Sequence, residues 1–159
     1  MKERVYIETS IISYLTARDS RDVVQLAKRQ LTREWWNRER FRYELVIGQP
    51  VLEEIQLGAP DAVERRLAAV EGLSILSLTI VAERLAEGLV KARLIPPNAR
   101  VDAYHVSIAA THGVDFLTTW NCSHINNAHT LGRISELIMR SGYKPPVIVT
   151  PELLWKDKI

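Results

Sequence analysis

Three acidic residues and one asparagine lie near the ends of segments with the pattern of buried strands. Glu8 directly follows the apolar residues 5–7, and Asn121 lies shortly after another such segment. Glu54 and Asp102 fall on predicted helices that follow strand-like or Pro-rich segments. The carboxyl ends of parallel strands form the usual binding crevice of an α/β sheet. We therefore expect these four side chains to meet at one rim of the sheet.

Oxygen ligands of this kind favour a hard divalent cation. Carboxylates gathered in one crevice repel each other unless a cation lies between them. Mg²⁺ or Mn²⁺ suits such ligands and keeps water available, so the site could activate water for phosphodiester hydrolysis. The simpler alternative is that Glu8, Glu54 and Asp102 are separate acids near helix starts, each favoured by a helix dipole. This alternative explains each acid when that acid is considered alone. The placement of all three acids near strand ends favours the metal site instead.

The elements that must position these residues alternate between strands and helices. Short β-branched and apolar runs predict strands, whereas apolar residues at helical spacing predict helices. This alternation is typical of an α/β fold with a mostly parallel sheet covered on both faces. The predicted strands are residues 5–7, 45–47, 73–78, 115–118 and 147–149, and the main helices are 9–16, 20–38, 50–57, 61–71, 79–94, 98–112 and 126–140.

The whole-chain composition is that of an ordinary globular protein. The 159 residues are 47% hydrophobic and 25% charged, with a formal net charge of +2, so overall charge does not indicate a nucleic-acid partner. We expect one domain, residues 1–159. The single cysteine, Cys122, excludes an internal disulfide framework, and no apolar run approaches the length of a membrane span. We therefore expect a cytoplasmic protein without a membrane partner.

Four motifs are similar, in order and spacing, to those of PIN-domain nucleases. They are Val-Tyr-Ile-Glu-Thr-Ser at 5–10, Val-Leu-Glu-Glu-Ile at 51–55, the helix segment 102–110, and residues 113–121. Within that family the chain most resembles the VapC-type toxins of type II toxin–antitoxin pairs. The resemblance implies a PIN-like three-layer α/β/α fold with a central, mostly parallel sheet of about five strands. It also implies a Mg²⁺-dependent (or Mn²⁺-dependent) endoribonuclease, inhibited by a cognate antitoxin protein and commonly a homodimer.

The resemblance also assigns residues to the site. Glu54 is preferred over Glu53 because it directly precedes the apolar Ile55, although the sequence leaves the helix phase open. The implied catalytic and metal-binding residues are Glu8, Glu54, Asp102 and Asn121, with Ser10 and Thr119 in support.

Two of these positions depart from the family pattern. Glu8 is one methylene longer than the usual aspartate, and Asn121 is neutral where an aspartate is usual. A site with less negative charge attracts a second divalent ion less strongly, so we expect one metal rather than two. The departures also motivate an alternative, in which a PIN-like fold with an eroded active site acts as a protein- or RNA-binding module.

Several other side chains near the motifs have both functional and ordinary interpretations. His105 shares a helix face with Asp102 and either tunes that carboxylate or is an ordinary half-buried histidine. His124 either contacts substrate or lies in a plain loop. Cys122, His124 and His129 lack the further ligand that a zinc site needs. The segment 18–42 mixes an excess of arginine with aromatic residues, which suits either an RNA backbone with stacked bases or an amphipathic helix that docks a partner.

Overall fold

The computed structural model describes residues 1–157, and it contains a single sheet of five parallel strands. The predicted α/β fold with a parallel central sheet is confirmed, and the layering is consistent with a three-layer α/β/α arrangement. The strands are β1 (Arg4–Ile7), β2 (Glu44–Gly48), β3 (Ser74–Leu76), β4 (Phe116–Thr118) and β5 (Val147–Val149), in the spatial order β3-β2-β1-β4-β5.

β1 lies at the centre of the sheet, between β2 and β4. Its residue Tyr6 is in register with Val46 on one side and Leu117 on the other. Val5, Tyr6 and Ile7 are completely buried, as expected for a strand covered on both faces. Because β1, β2 and β4 are parallel neighbours, the segments that follow them emerge at the same edge of the sheet.

Seven α-helices lie among the described residues: α1 (Thr9–Thr16), α2 (Val23–Arg38), α3 (Gln49–Ile55), α4 (Pro60–Val70), α5 (Ile80–Lys91), α6 (Arg100–Thr111) and α7 (Leu131–Arg140). α1 contacts α2 and α4, whereas α5 contacts α6 and α7, and α3 contacts both α1 and α6. Short 3₁₀ turns occur at Arg40–Arg42, Pro97–Ala99 and Pro151–Leu154.

Two predicted helix starts were wrong. The N-cap of α2 is Asp22, whose carboxylate accepts a hydrogen bond from the Gln25 N–H at 2.9 Å, whereas Ser20 accepts one from the Asp22 N–H. α7 begins at Leu131 rather than near residue 126, because residues 121–130 form consecutive turns. The polar side chains of this turn segment bond to backbone groups nearby, an alternative to helix that Asn readily offers.

No helix in the described part of the chain, residues 1–157, has the length and apolar character that crossing a membrane requires.

Candidate functional site

The polar residues predicted to meet do lie around one edge of the sheet, where β1, β2 and β4 end. Glu8 follows β1, α3 with Glu54 follows β2, and Thr119 to Asn121 follow β4. The clearest link is Thr9, the neighbour of Glu8, whose hydroxyl donates to Glu54 Oε1 at 2.6 Å. Two segments separated by 45 positions are therefore joined directly at this edge.

Glu8 is held in a closed set of hydrogen bonds. The Ser10 N–H donates to Oε2 at 2.8 Å, the Ser10 hydroxyl donates to Oε1 at 2.7 Å, and the Thr119 hydroxyl donates to Oε1 as well. Glu8 also caps the N-terminus of α1 and is only 4% exposed. Ser10 and Thr119 therefore contact the acid that they were expected to support, and both oxygens of Glu8 are already engaged.

Glu54, rather than its neighbour, points towards the site. The helix phase leaves Glu53 exposed, whereas Glu54 contacts both Thr9 and His105. Both of these bonds fall on Oε1, and Oε2 forms no hydrogen bond with any residue in the range 1–157. The ambiguity that the sequence left open is thus resolved by contacts with residues distant along the chain.

A buried histidine connects Glu54 to the centre of the sheet. Nε2 of His105 lies 2.7 Å from Glu54 Oε1, and Nδ1 lies 2.7 Å from Tyr6 Oη. His105 and Tyr6 are completely buried, and their rings meet edge to face. His105 was expected to tune Asp102 or to be half-buried; in the structure its carboxylate partner is Glu54. A hydrogen-bonded chain therefore runs from β1 through α6 to the acid on α3.

The charges of all three acids reach His105. Burial lowers the pKa of His105, but its hydrogen bond with Glu54 and the negative charges of Glu8, Glu54 and Asp102 outweigh burial and raise it. Of these three acids, Glu54 is the one that contacts the imidazole directly.

Glu54 stays ionised in this environment. Burial acts to raise its pKa, but the hydrogen bonds from His105 and Thr9 and the positive charge of His105 lower it below the ordinary value. Burial, followed by the charges of Glu8 and Glu54, raises the pKa of Tyr6 well above its ordinary value, so Tyr6 stays neutral. The pair thus presents a negative carboxylate held by a fixed imidazole.

Asp102 and Asn121 meet through His124. Nδ1 of His124 lies 2.9 Å from Asp102 Oδ2, and the His124 N–H donates to Asn121 Oδ1 at 3.0 Å. The Asp102 side chain is 19% exposed and that of His124 is 38% exposed, so the pair borders solvent. Oδ1 of Asp102 forms no hydrogen bond with the described residues. His124 therefore holds one oxygen of Asp102 and leaves the other available.

The described residues, 1–157, include no group of three or more His, Cys, Asp or Glu side chains placed to hold a metal ion. Glu8 and Asn121 use their oxygens in bonds to Ser10, Thr119 and His124. The carboxylate oxygens that remain free on the predicted residues belong to Glu54 and Asp102.

Sequence reasoning missed Tyr6 and Thr9, and neither of its two interpretations of His105 included the contact with Glu54. In the sequence Tyr6 looks like an ordinary core residue, and the one feature that marks its hydroxyl is Gly48, the last residue of β2. A Cβ at Gly48 would overlap Tyr6 Oη and lie 2.9 Å from Tyr6 Cζ, so this position has to be glycine for the ring to fit. The role of Tyr6 is therefore indicated by its close approach to Gly48, and no local sequence pattern reveals a contact of that kind.

Replacing this glycine should disturb the hydrogen-bonded chain. Gly48→Ala is expected to lower the free energy of unfolding by about 1–3 kcal/mol, because the added methyl overlaps the fixed Tyr6 ring. Urea denaturation would measure the loss. Gly132→Ala is the matched control, since a Cβ there meets nothing within 4 Å and alanine favours the α7 helix. Equal unfolding midpoints for Gly48→Ala and the unmodified protein would contradict the close approach.

Most residues of the basic, aromatic segment 18–42 are exposed, but most of the large rings in it or directly after it are buried. Trp35, Trp36 and Tyr43 are at most 6% exposed, so they cannot stack bases, and only Phe41 is well exposed at 62%. Arg29 and Arg33 donate to backbone carbonyls near the end of α1 and tie α2 to it. The base-stacking interpretation of this segment was therefore wrong for these three buried rings.

Comparison with known proteins adds no family to this description. A scan against protein-family models and a search of curated proteins both found no match for the chain. The likeness to PIN-domain nucleases stays a prediction from the motifs, and a function has to be argued from the geometry of the site.

Proposed function

We propose that the protein is a metal-dependent endoribonuclease that hydrolyses RNA phosphodiesters as the toxin of a type II toxin–antitoxin pair. The nuclease proposal rests on the hydrogen bonding of the Glu54 and Asp102 carboxylates. Each carboxylate has one oxygen held by a histidine and one oxygen free, at the edge where β1, β2 and β4 end. Two oriented, half-free carboxylates of this kind are a suitable foundation for a divalent cation.

The donor set fits Mg²⁺ or Mn²⁺ better than a softer metal. Mg²⁺ is commonly bound by one or two carboxylates together with waters and substrate phosphates, rather than by a complete protein cage. Glu54 and Asp102 supply two such carboxylates. Glu8 adds a third negative charge from its closed set of hydrogen bonds, and it would have to exchange a bond from Ser10 or Thr119 to become a ligand. Asn121 would likewise have to release the His124 N–H.

The residues of the chain have separate tasks in this proposal. Glu54 and Asp102 hold the cation, which when bound supplies charge neutralisation for the phosphate and activation of water. Thr9 and His105 fix the direction of the Glu54 carboxylate, and His124 fixes that of Asp102. Such partners around a ligand orient it and tune its basicity. Glu8 holds the segments after β1 and β4 together through Ser10 and Thr119.

Calorimetric titration with Mn²⁺ and an RNA cleavage assay test this function together. We expect one binding event per chain, and cleavage that requires Mg²⁺ or Mn²⁺ and stops when EDTA removes the cation. RNA, DNA and a small phosphate ester assayed side by side identify the substrate class, with RNA expected to be cleaved fastest.

The same assays define the competing outcome. No heat above buffer, together with no metal-dependent cleavage, would reject the nuclease and leave the eroded-site binding module that the Glu8 and Asn121 departures motivate. Cleavage of DNA or of the phosphate ester in preference to RNA would reject the ribonuclease assignment.

The proposed partners are a cognate antitoxin protein and a second copy of the chain. Support for a docked partner comes from the first turn of α2, where Val23 is 79% exposed and Val24 is 63% exposed. Adjacent exposed valines at a helix start form an apolar edge that a partner could cover.

A further inference from the structure

An aromatic pair adjoins the carboxylate site, on the side formed by α1 and α2. The rings of Tyr14 and Trp120 meet edge to face, with centroids 6.2 Å apart. We call this pair the aromatic platform. Both residues are partly exposed, unlike the buried Trp35 and Trp36. The platform was not among the residues that the sequence indicated.

The aromatic platform is tied directly to the site. The backbone N–H of Trp120 donates to Ser10 Oγ at 2.8 Å, and the same Ser10 hydroxyl donates to Glu8. Tyr14 lies one turn after Ser10 on α1, so the two side chains share a helix face. The aromatic platform therefore adjoins Ser10, the residue that holds Glu8.

The indole of Trp120 is fixed at its buried edge. Its Nε1–H donates to Thr32 Oγ1 at 2.8 Å, and the Thr32 hydroxyl donates to the Lys28 carbonyl at 2.6 Å. Thr32 is completely buried. The polar atom of the indole is thus satisfied inside the protein, which leaves the ring itself as an oriented, preorganised surface.

A lysine that lacks a carboxylate partner lies over the platform. The Lys28 ammonium is 5.8 Å from the Tyr14 ring centroid and 5.5 Å from the Trp120 centroid. Nearby Arg18 and Arg29 pair with Asp61 and Asp19, whereas Lys28 forms no ion pair within the described range 1–157. A cation held only by ring faces can turn to a phosphate, because such contacts are weak at exposed sites.

An aromatic surface and an unpaired cation beside it are the two features that bind a single-stranded nucleotide. Bases stack on aromatic side chains and phosphates pair with lysine, whereas a duplex keeps its bases out of reach. We propose that Tyr14, Trp120 and Lys28 bind one nucleotide of single-stranded RNA, with its base on the aromatic platform and its phosphate on Lys28. The choice of RNA rests on the proposed function.

Binding can be measured separately from cleavage. A short, labelled single-stranded RNA is titrated with the full chain in EDTA, where no metal-dependent cleavage occurs, and Kd is followed by fluorescence anisotropy at several salt concentrations. We expect Tyr14→Leu to raise Kd about tenfold, because the base would lose the ring on which it stacks. Tyr14→Phe keeps the ring and should restore the affinity.

Lys28→Ala should weaken binding and reduce the slope of log K against log salt by about 0.7, as expected for one lost phosphate contact to a single strand. The matched controls are Lys91→Ala, an exposed lysine on α5, and Phe41→Ala, the exposed ring of the basic segment. Both should leave Kd and the slope unchanged. A duplex of the same sequence should bind more weakly than the single strand.

Tryptophan emission gives an independent readout of the base contact. RNA should quench the emission of the unmodified protein, and Trp120→Phe should remove most of that quenching while keeping a ring for stacking. Unchanged Kd in both Tyr14→Leu and Lys28→Ala would overturn the inference even if the protein cleaves RNA. Conversely, weakened binding in both variants without any metal-dependent cleavage would support the inference while rejecting the nuclease.

Discussion

Asp102→Asn is expected to abolish metal-dependent RNA cleavage, with a fall of about a thousandfold in kcat/KM, while leaving the protein folded. A metal ligand that stabilises developing charge contributes several kcal/mol, and each 1.36 kcal/mol is a factor of about ten. Asparagine keeps the size of the side chain and an oxygen that can accept from His124. The substitution therefore removes the charge of one half-free carboxylate and little else.

A second acid provides a matched control for this experiment. Asp61 lies in the first turn of α4, as Asp102 lies in the first turn of α6, so both interact with a helix dipole. Asp61→Asn should leave cleavage and Mn²⁺ binding intact. If Asp102→Asn cleaves RNA as fast as the unmodified protein, Asp102 is only a helix-start acid and the metal assignment is wrong. Urea denaturation of both variants checks that each remains folded.

His105→Ala is expected to cost about 3 kcal/mol of the free energy of unfolding, because it leaves a cavity and removes two hydrogen bonds in the core. Tyr6 Oη and Glu54 Oε1 both lose the partner that lies 2.7 Å away. Native domains are stable by only about 5–15 kcal/mol, so this loss is a large part of the total. It should be among the most destabilising single substitutions in the chain.

The measurement is again urea denaturation, supported by Mn²⁺ titration of the folded fraction. His129→Ala changes the same residue type at an exposed position and should stay within about 0.5 kcal/mol of the unmodified protein. Tyr6→Phe removes only one of the two bonds and should cost about 1 kcal/mol. If His105→Ala lowers the free energy of unfolding by less than Tyr6→Phe does, the histidine does not join β1 to α3.

The fold could be predicted because its signals are local and repeated. β1 and α1 were predicted within one residue of their observed bounds, since short apolar runs and helical spacing are properties of neighbouring residues. The errors concern polar segments. Ser20 and Asp22 are both good caps, and in the structure Asp22 accepts from the N–H of Gln25 while Ser20 accepts from the N–H of Asp22. Residues 126–130 were predicted to be helical, but they form turns in which the Asn127 side chain bonds to backbone groups nearby.

The site was only half accessible to sequence reasoning. The acids could be located because strand ends mark one edge of a parallel sheet. Their partners could not, because the chain from Tyr6 through His105 to Glu54 joins residues 99 and 51 positions apart. His105 was placed beside Asp102 by helical spacing, yet α6 packs so that the imidazole meets α3. Contacts between helices and strands, rather than the periodicity within one of them, decide which carboxylate a buried histidine bonds to.

The bond between Glu8 and Thr119 also sets an order of events during protein synthesis. The two residues are 111 positions apart, so Glu8 has no hydroxyl partner from the segment after β4 until synthesis has reached Thr119. At typical elongation rates that interval is roughly 5–20 s. A nascent chain on the ribosome therefore carries Glu8 and Glu54 for several seconds without the loop that holds one of them.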